Sequence, residues 1–285
     1  MFALCACNQI FGLKQVVERD AGVPFFDGAP DAPYACPPYG QRPFFGHGLF
    51  EAVAQRCTSY AIGGTDADPH AMGLCSDPNV PVGYGPADAP LSPVAFKIPD
   101  MTTLRSVRLA PEGDLAVVTI DNPYAPLTSF EVYKPTADAW TSAGVIATAT
   151  YGCFGCAPVI VSTPTRGPNR HVVAYDYNQK LLFELEDQGA YPWVQVSAQA
   201  IGDLGPMYIG SPISLSADGL RMVFYANAGA DFGIYYADRM ALSSPFEPAV
   251  WLSNLPHTSG TDPFLTQNCS RLYISGLDSV FFAKQ

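Results

Sequence analysis

One stretch limits the folds open to this chain more than any other: Leu215-Ser216-Ala217-Asp218-Gly219-Leu220-Arg221-Met222-Val223-Phe224-Tyr225. Aromatic and branched residues flank an Asp218-Gly219 pair. That pattern predicts two strands joined by a two-residue turn, because Asp-Gly supplies the positive φ values such a turn needs and Val, Phe and Tyr suit a pleated surface. After a Gly-rich loop, Asp231-Phe232-Gly233-Ile234-Tyr235-Tyr236-Ala237-Asp238-Arg239 predicts a third strand, and Phe246 to Leu252 a short fourth before Asn254. Four antiparallel strands in about fifty residues make one propeller blade, provided that the unit recurs.

It does recur. Second-strand entries stand at Leu109 to Val118, at Val161-Ser162-Thr163 with Arg170-His171-Val172-Val173-Ala174, at Leu215 with Asp218-Gly219, and at Leu265-Thr266-Gln267-Asn268-Cys269 with Arg271-Leu272-Tyr273-Ile274. Their spacing of about 50 to 54 residues is that of propeller blades, and the segments alternate rather than showing the 3.6-residue period of helical repeats. Third strands are expected at Ser129 to Tyr133, Leu181 to Leu185, Gly233 to Ala237 and Ser279 to Ala283, with outer strands near Val145, Val194 and Val250. The last blade has no outer strand of its own, so a segment nearer the N-terminus is expected to close the ring and cover the bare edge. Val94-Ala95-Phe96-Lys97-Ile98 is one candidate for it. The predicted fold class is all-β, a propeller of four-stranded antiparallel blades. Five blades are expected if the Cys57 to Tyr84 region makes one; four or six are the alternatives.

The remaining organisation follows from composition. The 27 Pro and 25 Gly among 285 residues mean many turns, and 48% hydrophobic against 14% charged residues argues for a packed core. A balance of 15 basic to 26 acidic residues, net −11, with no Lys/Arg-rich segment, excludes nucleic-acid backbone binding as an expected function. Eight cysteines with few His clusters suit an oxidising compartment. The chain divides into residues 1–38, a lipoprotein-like N-terminus and a disordered Asp/Ala/Pro-rich tether; 39–90, a Cys-containing degenerate blade or small β module; and 91–285, the repeats. Leu49 to Ala54 reads equally as strand or helical turn.

Leu4-Cys5-Ala6-Cys7 resembles the end of a bacterial lipoprotein signal, although only Met1, Phe2 and Ala3 precede it. The resemblance implies a lipid on Cys7 and a location in the bacterial periplasm or at the cell surface, with the membrane reached only through that anchor. The Leu-Ser-x-Asp-Gly turn at Leu215 to Gly219, the aromatic second strand and the Ile-Tyr-x-Ala-x-Arg-like third strand resemble the TolB-type repeat of envelope propellers, over roughly Leu91 to Gln285. Such repeats imply a fold, and function must be argued from a site.

Chemistry-bearing motifs are few. Cys153-Phe154-Gly155-Cys156 has redox spacing, but Pro158 and an apolar run lead into a strand rather than the helix that would activate a thiol, so a disulfide or buried pair is expected. Cys57 and Cys75 fall on neighbouring strands, where a bridge would close a loop of about seventeen residues and contribute roughly 3 kcal/mol. Cys36 and Cys269 are further disulfide candidates whose pairing would fasten the chain ends, one of several connectivities open to these cysteines. Asp66-Ala67-Asp68-Pro69-His70 carries oxygen ligands but reads as a solvated loop, and Asp114 and Asp218 read as turn caps. His171 and His257 have no acid beside them in sequence, and no nucleophile elbow is present. No catalytic residue, metal ligand or cofactor is therefore expected. Tyr191 and Trp193 of Tyr191-Pro192-Trp193, and His257, are the candidate partner-binding residues. The expected function is a non-enzymatic envelope propeller that binds a protein or glycan partner through its loops; the alternative is a carbohydrate-active hydrolase or lyase with carboxylates from separate blades converging on the channel.

Overall fold

The computed structural model describes residues 51–53, 57–64, 69–77, 80–97, 103–110, 112–122, 127–150, 158–161, 169–176, 180–204, 208–209, 213–216, 218–228, 231–252, 262–266, 269, 271–275 and 279–284. Among them every regular element is a strand: β1 (Glu51–Val53), β2 (Cys57–Gly64), β3 (Pro69–Asp77), β4 (Val80–Pro86), β5 (Ser92–Pro93), β6 (Phe96–Lys97), β7 (Thr103–Leu109), β8 (Ala116–Asn122), β9 (Leu127–Pro135), β10 (Trp140–Thr150), β11 (Pro158–Val161), β12 (His171–Asp176), β13 (Leu181–Glu186), β14 (Val194–Ala200), β15 (Tyr208–Ile209), β16 (Ser214–Leu215), β17 (Arg221–Ala228), β18 (Asp231–Asp238), β19 (Val250–Trp251), β20 (Pro263–Leu265), β21 (Arg271–Ser275) and β22 (Val280–Lys284).

These strands make five small sheets. Blade I is β2-β3-β4-β5; blade II is β7-β8-β9-β10 with β6 added at its outer edge; blade III is β11-β12-β13-β14; blade IV pairs β15 and β16 with β17, followed by β18 and β19; blade V is β20-β21-β22-β1. The protein is a five-bladed β-propeller, and the second, third and outer strands fall where the repeat spacing put them. The first strands β2, β7, β11, β16 and β20 approach one another in ring order around the axis.

Closure differs from expectation. The segment that completes blade V is β1, antiparallel to β22 with Glu51 opposite Phe282, Ala52 opposite Phe281 and Val53 opposite Val280. Phe96 and Lys97 instead pair in parallel with Trp140 and Thr141 of blade II. The reason is aromatic packing: the Phe96 ring stacks on Tyr133 at 4.5 Å and on Trp140 at 6.1 Å, which fixes this segment beside its own blade.

The turn at the heart of the repeat also differs. Asp218-Gly219 is not a two-residue hairpin loop: Ser216 N–H donates to Arg221 O at 2.9 Å, and Gly219 N–H donates to Ser216 O at 2.8 Å, closing a β-turn inside a four-residue loop. Gly219 takes a positive φ, 69°, while Asp218 caps the turn by accepting from Leu220 N–H at 2.9 Å and Ser216 Oγ at 2.6 Å. Blade V repeats the pattern with altered residues. Thr266 N–H donates to Arg271 O, Cys269 N–H donates to Thr266 O, and Cys269 occupies the glycine position at φ 58°. Blade II does the same through Ala110, Gly113 and Leu115. A shared backbone requirement thus survives where the Asp-Gly signature has been lost.

Each seam between blades is apolar on both sides, which is why the middle strands read as unbroken hydrophobic runs. In β12 all six residues are buried: Val172 and Ala174 pack toward blade II, Val173 and Tyr175 toward blade IV. Tyr235 and Tyr236 send their rings to opposite seams in the same way. Blade I packs on both blade II and blade V, through Tyr60, Met72, Val107, Trp140, Tyr273 and Phe282.

Candidate functional site

The axis is the natural place for a site, because only there do residues from all five blades converge. Arg108 of β7, one residue before the end of that inner strand, is 1% exposed and reaches Asp262, immediately before β20. Its Nη1 donates to Asp262 Oδ2 at 2.7 Å and its Nη2 to Oδ1, a two-pronged pair linking blades II and V. Ser59 of blade I completes the group, accepting from Arg108 Nη1 at 3.2 Å and from Val107 N–H at 3.3 Å. On the other side of blade V, Leu265 N–H donates to Ser214 Oγ of blade IV at 2.8 Å. Arg108 Nε and Ser275 Oγ are buried without a hydrogen-bond partner. Asp262 is the one carboxylate on or directly preceding a described inner strand, and both of its oxygens are taken up by Arg108.

A second polar group lies on blade III. His171 is 2% exposed, with Nδ1 at 2.9 Å from Glu184 Oε1 and Nε2 at 4.0 Å from Glu186 Oε1. Glu186 also accepts from Asn169 at 2.9 Å and Gln188 at 3.2 Å, and Glu184 from Ser197 at 3.2 Å. The hairpin register places His171 opposite Glu186, so the acids invisible beside His171 in sequence arrive from the next strand. Both acids are thus held by hydrogen bonds from within their own blade.

The seam of ring closure carries a third. Tyr273 Oη donates to Asp88 Oδ1 at 3.0 Å, Arg271 Nη1 donates to both Asp88 oxygens at 3.0 Å, and Tyr60 Oη donates to Ala87 O at 2.6 Å. Burial, with the nearby Asp88 charge adding to it, pushes the Tyr60 and Tyr273 phenols well above the ordinary tyrosine range; the Arg271 guanidinium opposes the shift at Tyr273. A phenol whose pKa is raised by folding contributes stability that is whole below the unfolded value of about 10 and is lost as pH climbs beyond it. The urea midpoint is therefore expected to be insensitive to these groups from pH 7 to 9 and to fall above about pH 10, with a shallower fall in the Tyr60→Phe, Tyr273→Phe double variant; an equal fall in both proteins would refute the assignment.

The residues singled out by sequence separate in the structure. Cys57 and Cys75 form a disulfide between directly opposed positions of β2 and β3, with Cα atoms 3.9 Å apart. Cys269 is buried and disulfide-bonded. Cys7, Cys36, Cys153, Cys156 and His257 lie outside the described residues, as do Asp66 and Asp68; His70 stacks on Tyr84 at 5.5 Å. Trp193 requires a correction: it is 1% exposed and packs in the seam between blades II and III with Val132, Ile146 and Phe183, so its ring faces no partner. Tyr191, two residues earlier, is exposed. A groove of about 430 Å³ lies outside the inner strands, between Gly202-Asp203 and the β18–β19 connection with Met240, Phe246 and Glu247.

No known protein family matches the chain, and no characterised protein sequence does. Solved structures do. One, described with the finding that the GH130 family of mannoside phosphorylases contains glycoside hydrolases targeting β-1,2 mannosidic linkages in Candida mannan, superposes with a TM-score of 0.50 at 11% identity, over 90% of this chain and 95% of that one. An exo-β-1,3-galactanase from Phanerochaete chrysosporium gives 0.53 at 12% identity over 80% of this chain, and an exo-inulinase from Aspergillus awamori 0.52 at 11% over 81%. This chain spans 60% of the galactanase and 62% of the inulinase. These three are not TolB-type propellers, so the TolB resemblance reduces to the propeller architecture. At such identities the likeness establishes that the chain shares the five-bladed propeller fold of these proteins.

Proposed function

We propose that the protein acts on carbohydrate, breaking or rearranging glycosidic bonds at one mouth of the central channel. The observation that carries this reading is the superposition on the structure described for glycoside hydrolases of the GH130 family, which takes in 90% of this chain and 95% of that one. A ring of five brings the first strands close enough for acids from separate blades to reach glycosidase spacing, about 5 to 10 Å. A second reading, binding of a glycan or protein partner without bond cleavage, is favoured by one feature: Asp262 is held by Arg108 and is not offered to a substrate. An envelope location with lipid on Cys7 belongs to the same proposal and rests on the sequence alone.

The test is incubation of the full chain with yeast mannan, β-1,3-galactan, inulin and a set of aryl glycosides, with and without inorganic phosphate. New reducing ends or sugar phosphates from any of them would support the enzymatic reading. Binding without release would select the second reading, and neither release nor binding would eliminate both for these sugars. Fractionating cells that express the wild type and Cys7→Ser tests the anchor; equal recovery of both in the soluble fraction would remove it.

A further inference from the structure

The large hydrophobic residues most exposed among the described ones are Val145, Tyr191 and Met240. Tyr191 is held in place. Its ring lies flat against the backbone of β10 at Gly144, so closely that a Cβ built on Gly144 would stand 2.5 Å from the ring Cγ and 2.7 Å from Cε2. Only glycine leaves room for this seat. The residue is nevertheless 40% exposed.

Charged groups gather beside it. Arg170, immediately before the second strand of blade III, donates Nη2 to Asp114 Oδ2 of the blade II turn at 2.5 Å and keeps 26% of its side chain exposed. Asp187, whose backbone N–H donates to Arg170 O at 2.9 Å, begins the loop that carries Tyr191. Its Oδ1 accepts from Gly189 N–H at 2.9 Å, which fixes the loop. Burial, together with the negative charge of Asp187, raises the Tyr191 phenol above its ordinary value while Arg170 pulls it down, so the hydroxyl sits within the field of both charges and remains a donor at neutral pH.

We propose that Tyr191, with Arg170 and Asp187, forms a saccharide-binding subsite at the seam of blades II and III, distinct from the channel, which stacks one sugar ring of a polysaccharide. Among the described residues, the exposed large apolar surface here is the Tyr191 ring with Val145 beside its seat. That is far too small for the roughly 800 Å² per side of a specific protein interface. It does match the C–H face of one pyranose or furanose ring, whose peripheral hydroxyls then meet a guanidinium donor and a carboxylate acceptor. The seat on Gly144 means that little side-chain entropy is lost on binding. This inference rests on the carbohydrate reading for its ligand class, but not on bond cleavage.

Affinity electrophoresis in gels containing yeast mannan, β-1,3-galactan or inulin tests it, alongside aryl-glycoside hydrolysis by the same preparations. The wild type is expected to be retarded by at least one polymer, and Tyr191→Ala to weaken that affinity about 5- to 10-fold, the scale of one lost aromatic stack. Tyr191→Phe should keep most of it. Arg170→Ala, a change at a partly exposed side chain whose folding is easily checked by melting, should weaken it about 3-fold. Hydrolysis of small aryl glycosides should be the same in all variants if the channel is catalytic. Retardation of Tyr191→Ala equal to the wild type would overturn the subsite while leaving the carbohydrate reading in place. Absence of retardation of the wild type by every polymer would overturn it too, and persisting aryl-glycoside hydrolysis would then show that the channel reading had survived. Tyr191-dependent retardation without any hydrolysis would uphold the subsite and count against catalysis.

Discussion

Asp262→Ala is expected to destabilise the fold by about 3–5 kcal/mol, the largest effect of any single side-chain change considered for this protein. The size of the loss comes from what is left behind. Arg108 is 1% exposed, and its two terminal nitrogens are directed at the Asp262 carboxylate. With that carboxylate gone, a permanent cation stays buried with the Ser59 hydroxyl and the Val107 carbonyl as its remaining hydrogen-bond partners and the Phe264 ring 6.0 Å away. Removing both charges is a different experiment: Arg108→Met with Asp262→Leu should recover most of the loss, because a buried ion pair contributes little over an apolar replacement of similar volume. Urea denaturation followed by circular dichroism measures both. A loss below about 1 kcal/mol for Asp262→Ala would mean that water reaches the pair and that the axis is open rather than sealed.

Starting the chain at Ala54 instead of Glu51 should lower the melting temperature by roughly 6–10 °C and promote association. Those three residues supply the outer strand of blade V, and without them β22 presents its backbone donors and acceptors to solvent as a bare edge. Loss of three paired residues is worth on the order of 3 kcal/mol, which for a domain of this size corresponds to the stated shift. Scanning calorimetry and light scattering on the two chains read both consequences. Equal melting and equal monomer content would show that β1 adds nothing to closure.

The blades were legible in sequence because each is built from contiguous hairpins whose turns announce themselves locally. Leu215 to Tyr225 sufficed to define the unit, and the spacing of Leu109, Val161 and Leu265 carried it around the ring. What escaped was non-local. Arg108 and Asp262 are 154 residues apart, and no spacing rule joins them. A signal was nonetheless present: Arg108 stands one residue before Leu109, where the equivalent positions before Leu215 and Leu265 hold Ser214 and Phe264, so an arginine there had to be neutralised from another blade. Glu184 and Glu186 could have been found beside His171 by setting the β12–β13 register first. Trp193 misled because an aromatic in a Pro-containing loop suggests a surface anchor, whereas its loop folds back over blade II and Trp193 N–H donates to Ile146 O at 3.1 Å. The closing strand was missed because three residues of Glu-Ala-Val carry too little pattern to distinguish them from the longer, aromatic Val94 to Ile98. The candidate site was the least legible of all, since it depends on which residues the ring brings to its axis and seams.

Ring closure through β1 and β22 sets a timetable for synthesis. Blades I to IV each draw their strands from one continuous stretch, so pairing within them can begin as the chain leaves the ribosome. Glu51 to Val53 emerge before any of these blades, yet their partner, Val280 to Phe282, follows all four of them. At the usual 5–20 residues per second the early segment waits roughly 10–45 s for its mate. Throughout that interval the nascent molecule is an open arc, and a chaperone that holds Glu51 to Val53 would hold the segment that completes the circle.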